Sequence, residues 1–368
     1  MSDLSSALSS LAVRVATELQ LHRKFAQAVE GNDYQAYLDA RLYYLVYACD
    51  HHLSIPHGRP PLTRECAAIR DVRRFLDCRY ANHDDARLVS HVLRWTVWTD
   101  IFDSVGQSSV DCALSSTQVQ TVKRLGNLLD TLRLEWVDKL GHDDHVGNYP
   151  WKGASMQHHF AKLYLCSHAF RGVYTDNNIN HGVERAVADM DVDVYELASS
   201  AVLAATCILR TVNSDHEVQS FLNGLPTYFH VMIAFAVVFL LKVSTSTSGH
   251  SPGLGAISRV VDAEEVRRLL ATSISVLRNV TRTMHPQHPL VNITASAAEA
   301  VQRSYQGISA HADGGTDADD ANVDNHASAG RSAGVQGRGN ESGGVDQALL
   351  NDLDVFFNTY NFLVDHGQ

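Results

Sequence analysis

Histidine and aspartate gather at three places along the chain: Asp50-His51-His52, His83-Asp84-Asp85 and His142-Asp143-Asp144-His145. Imidazole and carboxylate are ligands for divalent metals, and a metal phosphohydrolase of the HD type activates water with a His, a His-Asp pair and a later Asp on a helical scaffold. The spacing argues against that chemistry. His83-Asp84 stands where a helix cap is expected, and His142 to His145 lies between Gly141 and Gly147, which is turn composition. Each cluster therefore reads as a solvated loop, and no metal ligand is assigned. There is no Gly-x-Ser-x-Gly elbow, and Gly253-Leu254-Gly255 lacks the Lys that a phosphate loop needs. The expectation is a protein that is not an enzyme, with no catalytic residue.

A second group of polar residues points to binding. His158, His159, Lys162, Tyr164, His168 and Arg171 share one helical stretch with Met156, Phe160, Leu163 and Phe170. Cations drawn into an apolar helix need partners, and an anionic small molecule is one way to supply them. The candidate ligand-binding residues are Tyr164, His168 and Arg171, with Tyr228 and Phe229 as apolar walls from a central helix. The competing reading is a solvent-facing stripe, or salt bridges to acids such as Asp176 or Asp189.

The elements that must position these residues are helices. Leu4, Leu8, Leu11, Val15 and Leu19 step by three or four, as do Tyr34, Leu38, Leu42, Leu45 and Cys49, so each set should line one helix face. Thr63 is expected to cap a helix reaching Cys78, and Asp84 or Asp85 the next, with Leu88, Val92, Trp95, Thr99 and Phe102 inward. Ser115 and Ser116 precede Val119, Val122, Leu125, Leu129, Leu132 and Trp136. Further helices are expected at about 153–171, 191–213, 216–223, 226–243, from Asp262 to Met284, and 290–305. The apolar run Val231 to Leu241 is too short to span a bilayer and reads as a buried central helix. No alternating strand is found. The fold class is all-α, one large helical bundle-like regulatory domain over residues 1–306.

Composition marks what lies outside that domain. Residues 307–344 are Gly, Ala, Ser, Asp and Asn with almost no large apolar residue, so burial cannot offset their ordering entropy, and a disordered linker is expected. Residues 345–368 turn apolar and acidic together. Leu349, Leu353, Phe356, Phe357 and Tyr360 recur at helical spacing between Asp346, Asp352 and Asp354, which predicts a C-terminal helix able to dock or to activate. The net charge of −11 opposes a phosphate backbone. The six cysteines are too scattered for a metal knuckle, so free, mostly buried thiols in a reducing compartment are expected. The N-terminus has no basic, apolar secretory signal, and no membrane partner is expected.

The segment from Arg41 through Tyr43-Tyr44, Asp50, Leu53-Ser54 and Ile55 leads into His57-Gly58-Arg59-Pro60-Pro61, and Asp85-Ala86-Arg87-Leu88-Val89-Ser90 and Trp95 follow. This ordered series over about residues 38–105 resembles the middle homology region of fungal zinc-cluster transcription factors, in the subgroup of leucine-pathway, protease-gene and weak-acid-response regulators. Gly58, Arg59, Pro60 and Pro61 form the structural turn motif, with Gly58 free to adopt a positive dihedral and the prolines fixing the exit. Arg59 is expected to pair with a carboxylate such as Asp50. The resemblance implies a nuclear transcription activator whose middle region senses a small organic acid or other metabolite effector and controls a C-terminal activation segment that meets a coactivator. It also implies zinc and DNA contact only in a six-cysteine module that these residues do not include, and allows a homodimer. A helical interaction scaffold without a ligand is the alternative.

Overall fold

Side-chain caps open the helices. The computed structural model describes residues 2–55, 59–106, 114–170, 192–225, 227–246 and 262–312. Its α-helices are α1 Ser2–Glu18, α2 Phe25–Glu30, α3 Tyr34–Ser54, α4 Ala67–Arg70, α5 His83–Ile101, α6 Ser116–Val137, α7 Tyr149–Ser167, α8 Val192–Ser214, α9 His216–Phe221, α10 Thr227–Ser246, α11 Ala263–Thr281 and α12 Pro289–Ala312. Asp33, Asp215 and Asp262 each accept two backbone N–H groups at the head of α3, α9 and α11. Asn82 with Asp85, and Ser115 with Gln118, form capping boxes at α5 and α6. The fold is all-α: the described residues hold no strand, only an isolated bridge between Asp143 and Gly147.

The core follows from the most apolar helix. From Tyr228 to Val243, α10 is buried except at Val238, and it packs against α7, α8, α11 and α12. α7 lies between α6 and α8, α5 bridges α6 and α3, and α1 and α2 sit on α3. All six apolar residues expected along α6, from Val119 to Trp136, are buried. Among the described helices, α8 is long and apolar enough to cross a membrane by length and composition, and its Ala, Leu, Ile and Val face is buried in this core.

The turn into α7 is locked electrostatically. Asn148 N and Nδ2 donate to Glu217 at 2.9 and 3.1 Å, and Lys152 Nζ reaches Asp215 at 2.7 Å and Glu217 at 2.6 Å. Gly147 has φ +60°, and a Cβ there would lie 2.7 Å from Glu217 Oε1, so glycine is needed twice over.

Several expectations are corrected. The stripe of α1 faces outward, with Leu4, Leu8, Leu11, Val15 and Leu19 exposed while Val13 and Ala16 are buried. On α3, Tyr34, Leu38, Leu42, Leu45 and Cys49 are likewise exposed, and Tyr37, Tyr43, Tyr44 and Tyr47 take the core. The larger rings win that face because they bury more surface and three of their hydroxyls still find partners, in Asp85, Cys66 and the Ala68 carbonyl. Thr63 caps no helix: its N–H and hydroxyl bind Asp50 at 2.7 and 2.6 Å, and the stretch to Cys78 divides into α4 and a 3-10 turn, Val72–Asp77. Among the described cysteines, only Cys78 and Cys166 are buried. α12 continues through residues 307–312, where the linker was expected to start. The remainder of the 307–344 linker and the 345–368 segment lie outside the described residues.

Candidate functional site

Helices α5, α6 and α7 leave a narrow cleft of about 30 Å³ between them. α6 lends Leu129, Leu132, Trp136 and Val137, one face at helical spacing; α7 lends Trp151, Ala154, His158 and Ala161, another; α5 lends Arg94 and Trp98. The indole of Trp98 is fixed from behind by Phe160 and Tyr164, with ring centroids at 5.3 and 5.4 Å. Lys139 Nζ stands 4.8 Å over the ring of Trp136.

Two donors in this apolar wall are unsatisfied. The Nε–H of Arg94 and the indole N–H of Trp136 are buried and meet no hydrogen-bond acceptor among the described residues. Arg94 Nη1 donates to Ser90 Oγ at 3.2 Å, and no ion pair to Arg94 occurs among the described residues. Burial pulls the Arg94 pKa down to about 10, opposed only weakly among the described residues by the nearby Tyr228 and Tyr149. His91 beside it is held well below the usual imidazole value, first by burial and then by Arg94 itself. Burial also takes His158 down to about 4, helped by His159 and Arg133, although Asp130 stands 3.4 Å away and opposes the shift. The cleft therefore presents a cation and N–H donors at neutral pH, with an apolar remainder.

A second half-buried arginine, Arg41, does have its counter-charge. Asp85, 0% exposed, accepts Arg41 Nε and Tyr37 Oη at 2.8 Å each and the backbone N–H of Asn82 at 2.9 Å. Tyr37 is pushed up to about 12 by burial and by that hydrogen bond.

The predicted ligand residues stand against the cleft walls and do not converge on one another. Tyr164 and His168 touch, with centroids at 5.1 Å, behind Trp98, and His168 Nδ1 lies 2.7 Å from the Tyr164 carbonyl. Tyr228 lies 4.4 Å from Phe229, receives the amide of Gln157, a cleft residue, and meets His52 edge-on. Arg171 and Gly58 lie outside the described residues. Arg59 does not reach Asp50: its Nη1 donates to Ser6 Oγ at 3.4 Å, because Thr63 already occupies Asp50. Pro60 and Pro61 carry the chain in irregular form toward α4.

Of the His-Asp clusters, Asp50 and His51 are buried at the end of α3 rather than solvated, since Asp50 accepts the Thr63 turn and His51 packs on Tyr47. His83, Asp84 and Asp143 do come together, with ligand atoms within 4.8 Å of one another. Arg87 Nη1 sits between the two carboxylates at 3.1 and 3.3 Å, so a guanidinium already supplies the positive charge there. Arg94 and Trp136 were missed as binding residues. Trp136 reads correctly as core, and the available signal was an arginine enclosed by Leu93, Trp95, Val97 and Trp98.

No protein-family model and no solved structure matches the chain. Over 253 residues it is 32% identical to the transcriptional activator of proteases prtT of Emericella nidulans, an alignment covering 67% of this chain and 37% of that protein. The chain thus spans little more than a third of the length of the curated relative it matches.

Proposed function

This chain belongs with the fungal transcription factors, as the motif series over residues 38–105 implies, and from that premise we propose that it is a regulatory region that senses a small organic anion and so controls transcription. Arg94 carries the reading. A partly buried guanidinium with a desolvated Nε–H and no counter-charge among the described residues is unfavourable to the fold, and a bound carboxylate would lessen that penalty. Ligand binding then favours whichever conformation closes the cleft, which is what a two-state regulator requires. Under this reading the protein acts in the nucleus as an activator, contacts DNA through a zinc-cluster module outside these residues, and catalyses nothing. Leu349, Leu353, Phe356, Phe357 and Tyr360 serve as its activation segment toward a coactivator, and residues 1–306 fold as one unit, which the continuous core from Ala16 to Val301 supports. Tyr164, His168, Tyr228 and Phe229 back the cleft walls, and Arg171 stays a candidate on its sequence alone.

The test is a reporter driven by the full-length factor. Arg94→Met should leave protein abundance unchanged and make expression independent of the supply of organic acids in the medium; a variant that responds like the wild type would sink the sensing role. A second reading, an interaction scaffold without a ligand, is favoured by the exposed leucines of α1 and α3. It predicts the reverse: Leu8→Ser with Leu11→Ser silences the reporter while Arg94→Met does not.

A further inference from the structure

We infer that the cleft between α5, α6 and α7 takes a monocarboxylate with an apolar tail, its carboxylate held by the Nε–H of Arg94 and the indole N–H of Trp136. This rests on the effector reading above and specifies its ligand. Both unsatisfied groups are donors, and a third polar wall group, the Gln157 amide, is committed to Tyr228. A carboxylate, which only accepts, satisfies both donors; an amine or a guanidinium on the ligand would face them with more donors. Trp136 is 3% exposed, so its N–H cannot turn to solvent instead.

The rest of the ligand is mainly apolar because the remaining wall is chiefly Trp98, Leu129, Leu132, Trp151 and Ala161, with the hydroxyl of Ser155 as one further polar group. A second carboxylate has no comparable seat. Arg133 lines the cleft but is exposed, where water competes for its charge, and Asp130 at the rim, paired with Lys162 at 2.7 Å, would repel a second anion. His158 on the same wall is neutral at pH 7. Size agrees. The 30 Å³ inside admits a carboxylate group but falls far below the roughly 150 Å³ of a cavity that holds benzene. The tail therefore leaves through the mouth, where Trp151 is 41% exposed and offers a flat apolar surface.

The experiment uses the full chain, with calorimetry and thermal unfolding in the presence of hexanoate, adipate, hexan-1-ol or sulfate. Hexanoate should bind and raise the melting temperature, with adipate, hexan-1-ol and sulfate at least tenfold weaker. Trp136→Phe removes the N–H together with part of the ring; it should weaken hexanoate about tenfold, the loss of one hydrogen bond to a charged group, while the smaller ring lowers the melting temperature without ligand only slightly. Adipate binding more tightly than hexanoate would overturn the monocarboxylate class while leaving anion sensing in place, and sulfate binding equally well would reduce the cleft to a plain anion site. Unchanged hexanoate affinity in Trp136→Phe would remove that anchor. If none of the four binds the wild-type chain, the inference fails; if Arg94→Met also leaves the unliganded melting temperature unchanged, the effector reading fails with it.

Discussion

The first turn and the middle of α5 meet guanidinium groups in opposite condition. At its first turn Asp85 receives Arg41, Tyr37 and the Asn82 N–H, so both carboxylate oxygens are engaged. Two turns on, Arg94 is enclosed by tryptophans with its Nε–H unpaired. The first arrangement joins α3 to α5 and belongs to the fold. The second gives the fold a single hydrogen bond, from Arg94 to Ser90, and a cation kept in that condition points to a ligand rather than to stability. Burial of an arginine thus says little until its partners are counted.

Removing the counter-charge at the first site should have the largest effect. Asp85→Ala leaves Arg41 and Tyr37 without their acceptor and takes away half of the capping box, and it is expected to destabilise by about 3 kcal/mol in urea unfolding. A loss below about 1 kcal/mol would erase the contrast between the two sites.

Acid should come next. His51 and His158 are both held near 4, chiefly by burial, against about 6.5 in an unfolded chain. Between those values the unfolded state takes up protons that the folded state refuses, so stability is full above about pH 7 and falls as pH drops toward 4. A decrease on the order of 2 kcal/mol between pH 7 and 5.5 is expected from the two together, and His158→Gln should flatten part of that slope, assigning it to the cleft.

At the second site the sign reverses. Arg94→Met should raise the stability of the unliganded protein by about 1 kcal/mol, because an uncompensated charge gives way to an apolar chain of similar length. Destabilisation instead would mean that Arg94 is structural, and the comparison would break. Trp136→Phe should cost the unliganded protein at most about 1 kcal/mol, for the smaller ring left in the core rather than for the N–H, which satisfies nothing among the described residues.

Helix content was legible in the chain because its causes are local. Asp33, Ser115 and Asp262 cap the N–H groups two or three residues ahead, and the α6 stripe and the α10 run hold their own periodicity whatever surrounds them. The series from Arg41 to Trp95 was also readable, and the tie between Arg41 and Asp85 gives it a physical reason. What the sequence by itself could not decide was which of two plausible faces would win. Leucines and tyrosines compete on α3, and only packing against α4, α5 and the turn at Phe75 selected the tyrosines. The cleft was hidden for the same reason. Arg94, Trp136 and Trp151 come from three helices, and an unpaired donor is defined by every neighbour that fails to reach it, a property that exists only once the helices are in place.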